Sequence, residues 1–596
     1  MNVLGIAWTL GSSAALFKDE AIVSALNEER FTRFKNDETF PVKSIEYVLK
    51  TNSININALD GIAIASKKSN LIELLKRMSR WTIQDYVDQQ HKYWKPIIFE
   101  NKQISEIDLY KNRFDYSILP IENFVNENNV NEKVLSFSQD RIDIVANYLN
   151  YPKEKIHLIE HHNAHSMYAY YSSPFRNEPV LCFTIDAHGD GLNATIGIFD
   201  ETGKYTRVFE TANCYIARIY RYMTLLLGMK PNEHEYKLMG LAPYGKGRVV
   251  EKPYNVFKNT LAVDGLDFKW IEKPTDSYFW FKEKLEGCRF DGIAAGLQKW
   301  VEEIVTEWIS NAIEKFGIQT IVLSGGVSMN IKANGMISEL PSVKKMFVGG
   351  TGSDESLAIG SAFYLAEQIA LEKKANWNSV NVQDMKSLYL GTSYDKQKEN
   401  SAIQILNKSN YSISENFTSR EIAEFLYQGK ILARCTGKME FGQRSLGNRS
   451  ILADPIDTEV ISKINQMIKN RDFWMPFAPV ILDTYVDEYL INPKQLTSPH
   501  MTIAFKTKPR AWKDIAAGCH PADKTARAQI LTQNCNPFLY EILSEFERIS
   551  GRGGLLNTSF NLHGHPIVNT PEEAIDVLLN SSLDGLILNH FLILKK

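Results

Sequence analysis

Two histidines four residues apart, His161 and His165 in IHLIEHHNAHSMYAYYSS, follow a short apolar run and open a helical one. An i, i+4 pair shares one helix face, so both imidazoles can reach a single metal ion, while His162 points away from them. Downstream, VLCFTIDAHGDG reads as a buried strand ending at Asp186, with His188, Gly189, Asp190 and Gly191 in the turn. A carboxylate at a strand end before a glycine turn is well placed to meet a metal or a phosphate. Much later, VGGTGSDESLAIGSAFYLAEQIA carries Asp354 into another helix. Two histidine nitrogens with two aspartate oxygens suit Fe, Zn or Mn better than Mg or Ca. His161, His165, Asp186 and Asp354 are the metal ligands this pattern predicts.

The elements around them must come from a soluble α/β enzyme. The 596 residues are 44% hydrophobic and 23% charged, enough for about two to four globular domains. A net charge of -3 argues against a nucleic-acid-coating surface. Six cysteines without CxxC spacing read as reduced thiols of a cytoplasmic protein. The apolar start lacks the basic flank of a signal peptide, and no run has the length of a membrane span.

Periodicity gives a β-meander in NVLGIAW, SAALFKD and AIVSALNEE, a helix in PVKSIEYVLKTN and a strand in LDGIAIAS. Residues 67–132, rich in Lys, Asn, Trp and Tyr, break the pattern and read as a helical insertion. The α/β rhythm resumes near Ile156, with helical stretches at 215–228 and 292–316. TIVLSGGVSMNIKANGMI then gives a strand, a Gly325–Gly326 turn and a helix, a turn able to approach phosphate or ribose. The polar stretch after it places a linker at 373–388, between a domain of residues 1–372 and one of 389–596.

In the last two hundred residues, ILARCTGKMEFGQRSLGNRSILADP sets Arg444 and Arg449 among turn-forming residues, followed by KINQMIKNRDFWMPFAPVIL, HPADKTARAQIL and GGLLNTSFNLHGHPIVNTPEEAI. Cations converging from separate loops are what a phosphate-bearing substrate requires.

Taken in order, the HHxAH helix, the Asp186 strand, EYKLMGLAPYG, SGGVSMN, GSDESLAIGSA, EFGQRSLGNRSILADP, PFAP, TARAQ and LLNTSFN resemble the NodU/CmcH-type carbamoyltransferases. The resemblance implies a duplicated N-terminal α/β domain, similar to actin, heat-shock chaperone ATPases, sugar kinases and threonylcarbamoyl transferases, followed by a YrdC-like α/β domain. It implies that carbamoyl phosphate and Mg-ATP form a carbamoyl-adenylate, and that the carbamoyl group passes to a hydroxyl of a small acceptor such as a sugar or antibiotic. Iron(II) or another transition metal would sit on the four ligands already named. The carbamoyl-phosphate contacts would be Arg444, Lys469, Arg527, Asn557 and Ser559, with Lys35 reaching the same chemistry. Gly325, Gly326, Asn330 and Lys237 are the nucleotide candidates.

Several positions depart from the family's pattern. Met475 stands where RPFAP has its arginine, Leu10 and Gly11 stand where a His-Asp pair is usual, and His563 and His565 replace an Arg and a Glu. His188 or Asp190 is then the substitute base. These departures keep open a different acyl donor, an amine acceptor or a non-catalytic nucleotide-binding regulator. Trp81, Tyr86, Tyr93 and Trp94 of the insertion suit an acceptor cap, a homodimer surface or a plain helical core.

Overall fold

The computed structural model describes every residue except 374–376, 378, 380, 384, 386, 408 and 470. The linker expected at 373–388 falls in part on those positions and to that extent lies outside the described residues. The chain forms two compact units: residues 1–28, 36–344 and 352–384 make the first, and 29–35, 345–351 and 385–596 the second.

Twelve strands precede residue 350. They are β1 (Asn2–Ala7), β2 (Ser13–Lys18), β3 (Ala21–Asn27), β4 (Gly61–Ala65), β5 (Ile156–Ile159), β6 (Val180–Gly189), β7 (Leu192–Phe199), β8 (Tyr205–Thr211), β9 (Leu261–Asp264), β10 (Asp267–Trp270), β11 (Thr320–Ser324) and β12 (Lys345–Val348). Ten of them form two five-stranded sheets, β3-β2-β1-β4-β5 and β8-β7-β6-β11-β12. The two sheets repeat one topology. β1 carries antiparallel β2 on one side and parallel β4 on the other, and β6 is flanked in the same way by antiparallel β7 and parallel β11. This is the duplicated α/β arrangement expected of the N-terminal part.

A helix follows the fifth strand of each sheet: His161–Ser172 after β5, and Leu357–Glu372 after β12, the latter entered through a short 3-10 turn at Asp354–Ser356. The two helices touch backbone to backbone, because Gly360 has no side chain: a Cβ there would stand 1.8 Å from the carbonyl oxygen of Ala164. The insertion is helical, with helices at Leu71–Met78, Ile83–Gln89, Lys95–Glu100 and Glu106–Tyr110. Trp81 and Tyr86 are buried there in the same core as Trp8 and Phe40, so these two aromatics serve packing.

The second unit is built on an eight-stranded mixed sheet. Its strands are β13 (Tyr411–Ser414), β14 (Leu432–Cys435), β15 (Arg449–Ala453), β16 (Ala478–Leu482), β19 (Gln529–Leu531), β20 (Gly554–Ser559), β21 (Gly585–Leu588) and β22 (Leu592–Lys595), in the order β13-β22-β21-β14-β15-β20-β16-β19. β17 (Phe505–Lys506) and β18 (Thr525–Ala526) pair separately. β20 lies between β15 and β16, with Leu452 and Ala478 opposite Asn557 and Ser450 opposite Ser559. This register puts the LLNTS, RSILA and PFAP segments side by side, and Asn557 and Ser559, two apart, on one face. Among the described residues no helix is long and apolar enough to cross a membrane.

Candidate functional site

In the first unit the four predicted ligands converge. One donor atom from each of His161, His165, Asp186 and Asp354 lies within 4.8 Å of all the others. The Nε2 atoms of His161 and His165 are 3.3 and 3.2 Å from Asp186 Oδ2, and 3.9 and 3.8 Å from Asp354 Oδ1. Donors about 2.1 Å from a common tetrahedral ion stand roughly 3.4 Å apart, so this spacing fits a transition metal.

Local structure explains the placement. Glu160 caps the histidine helix by accepting from the backbone N–H groups of His162 and Asn163, and is itself ion-paired to Arg207. The ladder between β6 and β7 loses register after Ile185, which frees Asp186 from regular pairing. Ser66 Oγ lies 2.9 Å from His161 Nδ1 and Ser324 Oγ 3.0 Å from His165 Nδ1, so both rings turn Nε2 inward. Thr9 donates to the outer oxygen of Asp354 at 2.8 Å. Burial lowers the basicity of His161, but the hydrogen bond to Asp186 and the charges of Asp354 and Asp186 outweigh it and bring its pKa to about 9. Against its own burial, Asp186 is held well below the usual carboxylate range by the same two imidazoles.

The substitute-base candidates separate here. Asp190 is engaged: its carboxylate accepts from the backbone N–H groups of Lys67, Lys68 and His161, so it fastens the insertion's first residues to the histidine helix. His188 is exposed at the end of β6, and desolvation with the charge of Arg218 keeps its pKa below the ordinary value. The Gly325–Gly326 turn packs on the metal strand: a Cβ at Gly325 would lie 2.3 Å from Ile185 O, and one at Gly326 would lie 3.2 Å from Asp186 Oδ1. Asn330 caps the next helix through Ala333 N–H and exchanges two amide hydrogen bonds with Gln298, so its side chain is engaged. Lys237 is half-buried on the helix Glu235–Leu241.

The second unit holds several buried cations. Lys469 is buried, and its Nζ donates to Ser559 O, Ser559 Oγ at 3.1 Å, Asn561 O and Asn561 Oδ1 at 2.7 Å. Burial, then the charges of Arg471 and Lys35, push its pKa well down, which places Lys35 in electrostatic reach of Lys469. The loop of Arg444 is organised by Glu440, whose Oε1 accepts from the backbone N–H groups of Leu446, Asn448 and Arg449. Arg444 Nε is enclosed without a partner, no carboxylate pairs with the side chain among the described residues, and burial lowers its pKa to about 10. Asn557 Nδ2 donates to Gln529 Oε1 and Ser445 O, leaving its buried Oδ1 without a donor. Arg527 follows β18, directly beside β19.

Arg449 corrects the expectation of a phosphate-binding cation. It is buried, and its guanidinium reaches the carbonyls of Thr436, Thr392 and Asn569, so the fold consumes it. Sequence reasoning missed Ser66, Ser324, Asn561 and His500. Ser324 and Asn561 carried a signal, from their places in the SGG turn and at the end of LLNTSFN.

The chain thus carries a duplicated α/β unit with a His2Asp2 cluster and a mixed-sheet unit with buried cationic side chains. The chain belongs to the carbamoyltransferase family: residues 2–363 match the carbamoyltransferase N-terminus and residues 423–595 the carbamoyltransferase C-terminus. It is 29% identical over 633 aligned positions to an uncharacterized protein of Methanocaldococcus jannaschii, covering all of both chains. A second uncharacterized protein of that organism is 30% identical over 612 positions, covering 100% of this chain and 99% of its own. Nodulation protein NolNO of Sinorhizobium fredii is 26% identical over 591, covering 98% of this chain and 79% of its own. Full-length HypF in its phosphate- and nucleotide-bound form covers 63% of this chain and 56% of its own at 11% identity, with a TM-score of 0.36, a likeness too loose to carry an argument.

Proposed function

We propose that this carbamoyltransferase is an ATP-dependent O-carbamoyltransferase using carbamoyl phosphate. The observation that carries the reading is the second unit's buried cluster, where Arg444 Nε has no partner among the described residues and calls for an anion, and the orphan Asn557 Oδ1 calls for an N–H donor. Carbamoyl phosphate offers both, its phosphate to Arg444 and its amide nitrogen to Asn557. Water displaces phosphate to leave carbamate, a carbamate oxygen attacks the α-phosphorus of ATP with loss of pyrophosphate, and the acceptor's hydroxyl oxygen then takes the carbonyl carbon as AMP departs. Enclosing these steps limits loss of the activated carbonyl to water. The second unit is read here as the YrdC-like, adenylate-forming part.

His161, His165, Asp186 and Asp354 would hold a divalent transition ion, iron(II) by the family's pattern, and such an ion supplies Lewis acidity toward an oxygen of the activated donor. Ser66 and Ser324 fix the two imidazoles, and His188, exposed and biased to its neutral form, is the residue that takes the acceptor's hydroxyl proton. ATP with Mg and a small hydroxylated acceptor complete the substrate set. Mass spectrometry of the nucleotide formed from ATP and carbamoyl phosphate without acceptor tests the reading. A mass matching carbamoyl-adenylate supports it, and its absence with turnover of another acyl phosphate shifts the donor, a shift that Met475 in place of arginine keeps in view.

A further inference from the structure

His500 is a buried polar group of the second unit that none of the preceding chemistry uses. It is 1% exposed, and neither ring nitrogen has a hydrogen-bond partner among the described residues. Buried polar atoms are almost always paired, so an orphan pair on one ring asks for a ligand that both donates and accepts.

The ring is held firmly although its nitrogens are not. Two residues before it, Ser498 O accepts from Ile530 N–H at 2.9 Å, and Ser498 Oγ donates to Ala528 O at 3.2 Å. Two residues after it, Thr502 Oγ1 donates to Val348 O at 3.0 Å. Between these clamps the imidazole meets Phe347 edge-on at 6.0 Å, and Gly350 leaves it room: a Cβ on Gly350 would come within 3.0 Å of the His500 Cβ and Cγ.

It lies within electrostatic reach of Arg444. Burial, then the charge of Arg444, brings its pKa down to about 4, so the ring is neutral and offers one N–H and one lone pair. Gln529, one residue from Ala528, accepts from Asn557 and donates to Leu446 O at 2.8 Å, which ties this strand to the Arg444 loop.

We infer that His500 is a specificity-determining residue of the donor pocket, reading the uncharged carbamoyl end of the donor, its lone pair toward the carbamoyl NH2 and its N–H toward the carbonyl oxygen, while Arg444 takes the phosphate. The inference rests on the donor reading above. It requires discrimination between carbamoyl phosphate and acetyl phosphate, which carry the same anion and differ by a methyl group in place of the amide nitrogen.

The test is calorimetric titration of the full chain and of His500→Phe with each acyl phosphate. The parent is expected to bind carbamoyl phosphate at least about tenfold more tightly than acetyl phosphate, and the variant to lose that preference while keeping its affinity for acetyl phosphate. His500→Gln, which can still donate and accept, is expected to keep part of the preference. The thermal midpoint of ligand-free His500→Phe is expected to match or exceed the parent's, because no partner is lost. An unchanged ratio in the variant, a parent indifferent to the two anions, or a variant that fails to fold overturns the inference. A parent that binds neither anion overturns the donor reading as well.

Discussion

Gly189 and His161 are in contact through the absence of a side chain: a Cβ on Gly189 would lie 2.1 Å from His161 Cδ2 and 2.6 Å from its Nε2. The histidine occupies the space the glycine leaves, so this turn residue shapes the His2Asp2 cluster although it offers no ligand atom. Replacing Gly189 with alanine is expected to push the ring off its shared focus and weaken metal affinity by about tenfold or more. Metal content after dialysis against a graded chelator series measures this, and a variant that holds its ion like the parent refutes it.

His165→Ala separates the two units functionally. Bound transition metal and acceptor carbamoylation are expected to disappear, while pyrophosphate exchange into ATP dependent on carbamoyl phosphate continues. Parallel metal analysis and exchange assays read both halves, and loss of exchange would show that activation also needs the metal-bearing unit.

Lys469 gives a signed pH dependence. Its folded pKa is depressed, so above that value the free protein carries a neutral amine, and an incoming phosphate favours the ammonium. Binding of carbamoyl phosphate should take up a proton, and affinity should fall as pH rises through the depressed pKa. Titrations in buffers of different ionisation enthalpy measure the uptake. Lys469→Met should abolish it along with most of the affinity.

His500 gives a second one, in stability. Its folded pKa of about 4 lies below the ordinary value of 6.5, so as pH falls from 6.5 toward 4 the unfolded chain gains a proton that the folded ring refuses, and stability is lost through that window. The loss attributable to this ring is on the order of 3 kcal/mol by pH 4. Denaturant unfolding of parent and His500→Phe across pH 4–7 checks it, and the variant should lose less stability by about that amount.

How much of this was legible in the sequence depended on whether the signal was local. The i, i+4 histidines and the aspartate at a strand end declared themselves because a helix face and a strand terminus fix geometry over a few residues. The duplication did not: β1 and β6 share a topology, not a residue pattern, and pairings such as β1 with β4 or β6 with β11 join segments far apart in the chain. Residues 29–35 group with the second unit, and only the family resemblance, through Lys35, pointed that way. Arg449 misled because residue type reveals charge but not prior engagement, and backbone carbonyls had already claimed its side chain. His500, alone in SPHMTIAF, had no spacing partner to announce it.

The order in which the four donors are made also matters. His161, His165 and Asp186 come from the end of the first sheet's segment and the start of the second's, whereas Asp354 follows the last strand of the second sheet. A chain emerging from the ribosome therefore exposes three donors while most of the second half is still unwritten, and gains the fourth only when both halves have been translated. Any ion that needs all four is retained only by a chain that has finished the unit, so metal occupancy would serve as a record of completed assembly.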